Sequence, residues 1–497
     1  MIRRAACALG AVGTLAVACS SEPTPTAPAE VTFPRAFLWG SATAAFQVEK
    51  GLAATDWGIW VRTPGKIKGG EDPDRGGADA LANIDADVAL LTASRQNAYR
   101  FSIDWARIYP TRDAFDRDQP DPAGVAAYDK LLAALRAANI TPMVTLQHFT
   151  LPDWLSDPRK PEAPQGWERQ ETVDAFAIWC RRASERWGGQ VDWWATINEP
   201  MVSPLAGYIQ GSFPPGLVLE VGRALAVGKN EAIGHARCYD AIKEGDKVDA
   251  DGDGRASWVG IVKHQRAVEP ADPSDPADQA AAERVRYVNN LWFLNVITRG
   301  DWDDDFDGKL DGPLDRRADP ALAKRSDYLG INYYSALIAG GTGGVRVPVI
   351  DAVIRLDNLP TSRAKTDFRW DIHPSGLATV LDEARAYGLP IVITENGLAD
   401  SKDANRSRFL LEHLFEVGRA MERGIDVRGY FHWSLLDNFE WSSGYCPRFG
   451  FHAVDPATGA RTARPSVRVY EGIISKGRLS RADVDAAPPY AEPSFCD

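Results

Sequence analysis

The sequence predicts an α/β protein that consists of a single (β/α)8 TIM barrel, with long βα loops forming a pocket at one end. Eight short β-like runs occur along the 497 residues, and a helix-length periodic segment follows nearly all of them. Strands that alternate with helices imply crossover connections and a parallel sheet. No glycine-rich phosphate loop follows any of the runs, which disfavours the rival architecture, a doubly wound open sheet.

The eight β-like runs are rich in branched and aromatic residues. In chain order they are 37–42, 98–103, 142–148, a run ending at Glu199, 258–263, 328–334, a run ending at Glu395, and 429–435. The predicted helices have apolar residues at three- and four-residue spacing and cover 80–91, 122–138, 172–187, 223–242, 280–297, 375–386 and 408–422. The long loops at 49–77 and 335–370 are rich in Gly and Pro, so we expect them to wall the pocket.

The N-terminal segment predicts export. Arg3 and Arg4 precede an apolar run at 5–18 that is too short to span a bilayer. Residues 15–19 resemble a bacterial lipoprotein cleavage box, so a lipid on Cys19 would be the only membrane attachment; a plain exported protein is the alternative. We expect a periplasmic or cell-envelope lipoprotein, otherwise a secreted protein. The predicted parts are a signal peptide at 1–19, a flexible Pro/Thr/Ser tether at 20–32, the barrel at 33–480 and a C-terminal tail at 481–497.

The net charge bears on the class of ligand, and the cysteine content bears on possible disulfides. The net charge is −12 and there is no Lys/Arg-rich run, so nucleic acid is not an expected partner and a neutral ligand fits better. Export permits disulfides, and three pairings of Cys180, Cys238, Cys446 and Cys496 are possible. Cys180 and Cys238 fall on helical patterns, where we expect buried thiols. A Cys446–Cys496 bond would attach the tail to the barrel.

Two glutamates stand at the ends of β-like runs. The run at 390–395 delivers Glu395 to a strand end, where Asn396-Gly397 turns the chain, and Glu199 ends an earlier run. A lone buried charge is costly, and the carboxyl ends of barrel strands form the active site, so we expect the two carboxyls to share one site. Cleavage of a glycosidic bond needs such a pair. One carboxyl protonates the leaving oxygen, and the other attacks the anomeric carbon or activates water.

The motifs TINEP at 196–200 and ITENG at 393–397 resemble the acid/base and nucleophile motifs of family 1 glycoside hydrolases. The resemblance extends from about residue 33 to about residue 475. It includes FLWGSATAAFQVE at 37–49, RFSI at 100–103, LQHF at 146–149, GINYY at 330–334, WSLLDNFEW at 433–441 and RFG at 448–450. The resemblance implies a retaining exo-β-glycosidase that removes terminal β-glucosyl, β-galactosyl or β-fucosyl residues without a catalytic cofactor.

The resemblance also implies a role for each matched residue. Glu395 would be the nucleophile, kept ionised by Arg100 and the Tyr334 hydroxyl, because a cation and a donor favour the charged form. Glu199 would be the acid/base, kept protonated by burial and by the charge of Glu395. Asn198 would donate to the sugar 2-hydroxyl. The implied substrate contacts are Gln47, His148, Asn332, Trp433 as the apolar floor, Glu440, Trp441 and Phe449.

Two other functions stay open. An endo-acting β-glycanase on the same barrel would have an open groove in place of a pocket. A catalytically silent, sugar-binding lipoprotein would be expected to lack one of the two glutamates, and both are present.

Two acidic stretches match the start of a calcium-binding loop, D-x-D-x-D-G. The residues that would bind the ion are Asp249, Asp251 and Asp253 in the first stretch and Asp303, Asp305 and Asp307 in the second. Both lack the closing Glu at position twelve, so neither is a complete EF-hand loop. We expect both to lie side by side at the bottom face of the barrel and to hold structural Ca²⁺; the alternative is a pair of solvated acidic turns.

Overall fold

The computed structural model describes residues 29–342 and 361–496, together with the backbone of two short strands at 345–347 and 352–354. The described strands, in chain order, are β1 (Glu30–Thr32), β2 (Leu38–Ala42), β3 (Ala98–Ser102), β4 (Thr141–Gln147), β5 (Trp193–Asn198), β6 (Trp258–His264), β7 (Ala267–Pro270), β8 (Tyr328–Tyr333), β9 (Ala336–Gly340), β10 (Val345–Val347), β11 (Ala352–Ile354), β12 (Ile391–Asn396), β13 (Val427–Trp433), β14 (His452–Val454), β15 (Arg461–Ala463) and β16 (Arg478–Ser480).

The described α-helices are α1 (Ala45–Val48), α2 (Asp56–Trp60), α3 (Ile84–Ala93), α4 (Trp105–Ile108), α5 (Arg112–Asp116), α6 (Pro122–Ala137), α7 (Gln170–Trp187), α8 (Val202–Pro204), α9 (Val221–Gly245), α10 (Pro276–Arg286), α11 (Trp292–Arg299), α12 (Pro374–Arg385), α13 (Arg406–Glu422), α14 (Ser466–Lys476) and α15 (Arg481–Asp485). Short 3₁₀ turns occur at Lys68–Gly70, Pro73–Arg75, Ala80–Ala82, Gly166–Glu168 and Trp441–Ser443, and π-helical turns at Leu205–Ile209 and Tyr287–Leu291.

Eight of these strands close into a barrel in the order β12, β13, β2, β3, β4, β5, β6, β8, and every neighbouring pair is parallel. The predicted (β/α)8 barrel is therefore confirmed. Each predicted strand matches an observed one to within two residues at either end. The predicted helix at 280–297 corresponds to α10 and α11, with the π-helical turn between them, and α3 begins four residues later than predicted because Ala80–Ala82 forms a 3₁₀ turn.

The barrel strands are buried because helices cover their outer faces and side chains fill the interior. Every residue of β3, β5, β8 and β12 is buried, as expected for a parallel sheet covered on both sides. Helix α7 contributes Phe176, Trp179 and Ala183 from its inner face, at the three- and four-residue spacing that predicted it. Helix α6 starts at Pro122, and the Asp121 carboxylate caps it by accepting from the Gly124 N–H at 2.7 Å.

Two disulfides join segments that are distant in sequence. Cys180 in α7 is bonded to Cys238 in α9, and the two Cα atoms are 5.4 Å apart. The expectation of buried thiols is wrong here, because the packing of α7 against α9 brings their two buried faces together. The Cys446–Cys496 bond is confirmed and attaches the C-terminal tail to the loop after β13.

Both ends of the barrel segment are paired with each other. Strand β1 lies inside the stretch predicted as a flexible tether, and it pairs antiparallel with β16, so ordered structure begins before residue 33. Helix α15 occupies the start of the predicted tail. The predicted signal peptide, Cys19 and most of the tether lie outside the described residues. Among the described residues no helix has the length and apolar character needed to cross a bilayer.

Candidate active site

The two glutamates lie at the same mouth of the barrel, on strands brought together by closure. Glu199 directly follows β5, and Glu395 is the fifth residue of β12. A register shift interrupts the ladder next to each of them, between Ala195 and Asn198 and between Ile393 and Glu395. The backbone of Glu199 adopts a left-handed φ of 49°, a strained conformation often found at functional positions. Because of these irregularities, the two carboxyls lie at positions that regular strand geometry would not give them.

Gly397 shows why Glu395 is followed by Asn-Gly. A Cβ atom built on Gly397 would lie 1.9 Å from the carbonyl oxygen of Trp433, the last residue of β13. The ends of β12 and β13 can approach this closely only if residue 397 has no side chain. The glycine therefore allows Glu395 and Trp433 to line one cavity.

Glu395 is held by a cation and a hydroxyl donor. Arg100 Nη1 donates to its Oε1 at 2.5 Å, and the Tyr334 hydroxyl donates to its Oε2 at 2.6 Å. Arg100 is fully buried and is itself fixed, since its Nε donates to Thr145 Oγ1 at 3.1 Å and its Nη2 to Asn198 Oδ1 at 2.7 Å. The carboxylate of Glu395 is thus held in one orientation in its ionised form.

Glu199 has a different environment. Asn332 Nδ2 donates to its Oε1 at 2.8 Å, and within the described part of the chain no cation forms an ion pair with it. Burial, and after it the charge of Glu395, raises the pKa of Glu199 to about 8. The Glu199 carboxyl therefore holds a proton at neutral pH.

Burial also raises the pKa of Glu395, but Arg100 and the Tyr334 hydroxyl oppose the rise. Two carboxyls that interact this strongly release their protons as a pair. Because only Glu395 has a cationic partner, the first proton leaves Glu395 and the second stays on Glu199. The arrangement provides one buried acid and one buried anion in the same cavity.

One end of the cavity is lined by polar groups with unused hydrogen-bonding capacity. Gln47 Nε2 and Asn438 Nδ2 donate to Glu440 Oε2 at 3.2 and 2.9 Å, and Asn198 Nδ2 is 3.1 Å from His148 Nε2. Gln47 Oε1 and His148 Nδ1 are buried and have no partner among the described residues. Buried polar atoms are normally satisfied, so these atoms are suited to the hydroxyls of a ligand.

Aromatic side chains form the floor and walls at this end. Trp433, Tyr334 and Phe449 belong to one buried cluster at the mouth of the barrel. The Trp441 ring is nearly parallel to the His148 ring, at an interplanar angle of 16° and a centroid distance of 6.0 Å. A flat, apolar surface beside polar hydrogen-bonding groups suits a sugar ring, which has both kinds of face.

The position of Asn332 differs from the one expected of a substrate-binding residue. The sequence analysis expects it to bind substrate, whereas its amide lies between the two carboxyls. It donates to Glu199, accepts from Thr394 Oγ1 at 2.8 Å, and lowers the pKa of Glu395. The structure brings the other predicted catalytic and substrate-binding residues together around a cavity of about 500 Å³, with Arg100 and Asn332 behind its walls.

Sequence reasoning missed the other end of this cavity. Lys263 and His264 are the last two residues of β6, Arg266 follows two residues later, and all three line this end together with Glu199. The strand-end rule that identified Glu199 would also have found them. The apolar part of this end comes from α9, α10, the π-helical turn after it and β9, and consists of Val221, Leu225, Val285, Val288 and Leu337.

The acidic stretches are also arranged differently from expectation. Ligand atoms within 4.8 Å of one another come from Asp192, Asp249 and Asp251 in one cluster and from Asp303, Asp305 and Asp315 in the other. Asp253 instead accepts from the Trp258 indole N–H at 2.6 Å, and Asp307 accepts from the Lys309 backbone N–H at 2.8 Å. Each of these acidic clusters therefore differs from the predicted ligand set by one residue, and the binding of calcium stays a prediction.

The two stretches do not lie side by side at the bottom of the barrel. The first precedes β6 at the bottom rim, where the Ala250 N–H donates to Asp192. The second turns back over the helix layer: Tyr287 donates to Asp303 at 2.7 Å, and Lys229, well inside α9, forms an ion pair with Asp304. Which helices the segment after α11 packs against is decided by tertiary contacts, which the sequence pattern does not contain.

A buried acid can protonate a glycosidic oxygen while a neighbouring anion attacks the anomeric carbon, so fold and site together define the chain as a glycoside hydrolase. Residues 29–478 match the model of glycosyl hydrolase family 1, and the chain belongs to this family.

Relatives of known activity cover nearly the whole chain. It is 31% identical to a beta-galactosidase of Pyrococcus woesei, over 90% of this chain and 98% of the relative. It is also 31% identical to beta-glucosidase A of Thermotoga maritima, again over 90% of this chain and 98% of the relative. The solved β-glycosidase of Thermosphaera aggregans superposes with a TM-score of 0.79 at 26% identity, covering 92% of this chain and 100% of that one. The enzyme is therefore similar to both β-glucosidases and β-galactosidases.

Proposed function

We propose that the protein is a retaining exo-β-glycosidase that releases terminal, non-reducing β-D-glucosyl, β-galactosyl or β-fucosyl residues. The observation that carries the proposal is the unequal pairing of the two carboxyls. Arg100 and Tyr334 bind Glu395, whereas among the described residues the hydrogen-bond partner of the Glu199 carboxyl is the neutral Asn332 amide. This asymmetry assigns the nucleophile to Glu395 and the acid to Glu199.

In the first step the Glu395 carboxylate attacks the anomeric carbon and the bond to the leaving oxygen breaks. The proton on Glu199 passes to that oxygen, and the sugar is left as an ester on Glu395. In the second step Glu199, now ionised, takes a proton from water. The water oxygen attacks the anomeric carbon, Glu395 leaves as a carboxylate, and Glu199 is again protonated.

Retention is favoured because the two carboxyls line one cavity, where burial and, after it, the charge of Glu395 raise the pKa of Glu199. Retaining enzymes have their carboxyls about 5–5.5 Å apart, whereas inverting enzymes need about 6.5–9.5 Å to fit a water. The Asn198 amide supports the same mechanism, because a contact with the 2-hydroxyl strengthens as positive charge develops on the sugar.

The side chains at one end of the cavity, which includes Gln47 and Glu440, favour an exo-acting enzyme over an endo-acting one. With the terminal sugar bound to Gln47, Glu440 and Trp441, these side chains would block a polysaccharide chain that continued past it. Binding of Glu440 to the 4- and 6-hydroxyls would also disfavour a 6-phosphate by charge repulsion. A silent sugar-binding protein is disfavoured because both carboxyls and their supporting groups are present.

The test uses a panel of 4-nitrophenyl β-D-glycosides with the wild-type enzyme and Glu395→Gln, and NMR of the first-formed sugar anomer. We expect the β-anomer from the wild type and loss of turnover in the variant. An α-anomer as first product would rule out retention, and wild-type turnover by Glu395→Gln would rule out the nucleophile. Activity on long β-glucan without activity on the aryl glycosides would favour the endo-acting enzyme.

We also propose that the protein is exported and carries a lipid on Cys19, with the periplasm or cell envelope as its location. Two disulfides support export, because such bonds persist in oxidising compartments. In a bacterial host, Cys19→Ala is expected to move the activity from the membrane fraction to the soluble fraction. Cys7→Ala is the matched control, because Cys7 lies in the segment expected to be removed. Equal membrane association of all three proteins would contradict the lipid.

We further propose a structural Ca²⁺ site formed by Asp303, Asp305 and Asp315. Asp303 is fully buried, and its Oδ1 has no hydrogen-bond partner within the described residues. Burial raises the pKa of Asp303 and the nearby Asp305 carboxyl raises it further, against hydrogen bonds from Tyr287 and Gly308. A divalent cation would relieve both the repulsion and the missing contact. The cluster around Asp249 has no such buried, unpartnered atom among the described residues.

Metal-stripped protein is expected to take up Ca²⁺ in calorimetry and to melt at a higher temperature with Ca²⁺ than with chelator. Asp305→Asn should lose this response, whereas Asp307→Asn, outside the cluster, should keep it. Absence of Ca²⁺ uptake together with a melting temperature that is insensitive to chelator would remove the proposal.

A further inference from the structure

We propose that the leaving-group end of the cavity binds a carboxylate, so that the preferred substrates are β-glycosides of apolar alcohols or phenols that carry a carboxylate group. Arg266 and Lys263 would bind the carboxylate. The inference deepens the proposed glycosidase function and depends on it.

The position of these cations in the barrel identifies the part of the substrate they would meet. Gln47 follows β2 and Glu440 follows β13, and these residues mark the sugar end. Strand β6, which ends before Arg266, lies opposite β2 in the ring of eight and beside β5, which ends before Glu199. Because Glu199 protonates the leaving oxygen, groups beyond it on the β6 side face the leaving group.

The half-buried Arg266 side chain has no partner in the part of the chain that the structure describes. Within the described residues its guanidinium makes no hydrogen bond and no ion pair, while Arg100 and Arg406 in the same structure each pair with a carboxylate. Desolvating a guanidinium without a partner is costly. A planar group with paired donors is suited to a carboxylate, which it can bind through two parallel hydrogen bonds.

The backbone that carries Arg266 is held rigidly. The fully buried Asn290 accepts from the Arg266 backbone N–H at 3.2 Å and donates to its carbonyl oxygen at 2.8 Å. Asn290 Nδ2 also donates to Glu383 at 2.9 Å. The clamp fixes the backbone from which the Arg266 side chain extends, so binding of a ligand would not have to order that backbone.

Lys263 supplies a second positive group beside Arg266. Its ammonium donates to the carbonyl oxygens of His264 and Asn289, and no carboxylate forms an ion pair with it in the described part of the chain. Burial lowers the pKa of Lys263 to about 7, while Glu199 and Glu231 favour its charged form. A carboxylate bound nearby would favour the charged form further.

The rest of this end of the cavity is apolar. Val285 and Val288 from the α10 side, Val221 and Leu225 from α9, and Leu337 from β9 line this end. A leaving group that fills the space therefore needs an apolar body, with its charge at the end that reaches Arg266. An aromatic or aliphatic body with a terminal carboxylate has this form.

The experiment compares kcat/KM for 4-(carboxymethyl)phenyl β-D-glucoside and for the corresponding primary amide, at a pH where the acid is ionised. The methylene group separates the carboxylate from the phenol oxygen, so the two leaving groups have similar acidity. We expect the wild-type enzyme to prefer the acid by about tenfold or more, the range for hydrogen bonds between charged groups. Arg266→Gln should bring the ratio of the two kcat/KM values close to one, and Arg266→Lys should restore part of it.

Arg385→Gln is the matched control, because Arg385 is exposed on the last turn of α12, at the opposite face of the barrel, and should leave the wild-type ratio intact. Equal kcat/KM for acid and amide in the wild type, or preference for the amide, would overturn the inference. So would an equal loss on both substrates in Arg266→Gln, which would mean that Arg266 acts only on Glu199. The panel of 4-nitrophenyl β-D-glycosides separates the two proposals: if every member of the panel is inert, the glycosidase function itself fails.

Discussion

Replacing Tyr334 by Phe removes one hydroxyl and leaves the ring, so it isolates the hydrogen bond to the nucleophile. The hydroxyl donates to Glu395 Oε2 at 2.6 Å inside a buried site, and it lowers the pKa of Glu395. A hydrogen bond to a charged group contributes about 1.5–3 kcal/mol. Since about 1.4 kcal/mol corresponds to one pKa unit, the pKa of Glu395 should rise by about one to two units in Tyr334→Phe.

The sign of the effect on activity follows from the form of Glu395 that reacts. Only the carboxylate attacks the sugar, so activity is present above the pKa of Glu395 and is lost as the pH falls through it. The acid limb of kcat/KM against pH should therefore move upward by about one to two pH units, and below the new limb activity should drop by about 10–100-fold. An aryl β-glucoside assayed across the pH range measures both.

Tyr333→Phe is the matched control for this variant. The neighbouring Tyr333 hydroxyl points away from the site and donates to the His373 carbonyl oxygen at 2.7 Å. Its removal should leave the acid limb in place, even if the protein becomes less stable. An acid limb that stays unchanged in Tyr334→Phe, or that moves to lower pH, would refute the reasoning that this hydroxyl stabilises an ionised nucleophile.

Three further predictions concern other groups. Because the pKa of Glu199 is raised to about 8, kcat/KM should fall above about pH 8 as this acid loses its proton. The fall at high pH should be absent in Glu199→Gln. The remaining activity of that variant should be confined to aryl glycosides with very acidic leaving groups. Glu440→Gln should reduce kcat/KM for the β-glucoside by about 10–100-fold and less for the β-fucoside, which has no 6-hydroxyl; equal losses would exclude the 6-hydroxyl contact. The double variant Cys180→Ser, Cys238→Ser should have a free energy of unfolding about 2–5 kcal/mol lower than the wild type, measured by denaturant titration without reductant. An unchanged midpoint of unfolding would argue against this disulfide in the purified protein.

The placement of Glu199 and Glu395 could be predicted because each is tied to its own strand. A run of branched residues forms a strand, strands alternating with helices form a parallel barrel, and the strand ends of a barrel meet at one mouth. The roles of Arg100 and Tyr334 were implied by the resemblance to family 1 glycoside hydrolases. The role of Asn332 was missed, since the position of its amide between two carboxyls depends on the stagger of three strands.

The cysteines and the acidic residues show the same limit on what the sequence alone can predict. Helical periodicity placed Cys180 and Cys238 on buried faces, but the periodicity of one helix says nothing about which other helix it meets. The replacement of Asp253 by Asp192 and of Asp307 by Asp315 in the acidic clusters also depends on contacts between separate segments.

The sequence by itself determined the elements of this protein, their order, the barrel and the pair of carboxyls, because each of these depends on local periodicity and on the geometry of strand ends. Only the tertiary structure decided where the Asn332 amide lies, and that Arg266 lines the cavity without a partner among the described residues. Those properties depend on distances of a few ångströms between residues that are far apart in the chain, and electrostatic interactions in a buried site change strongly over such distances.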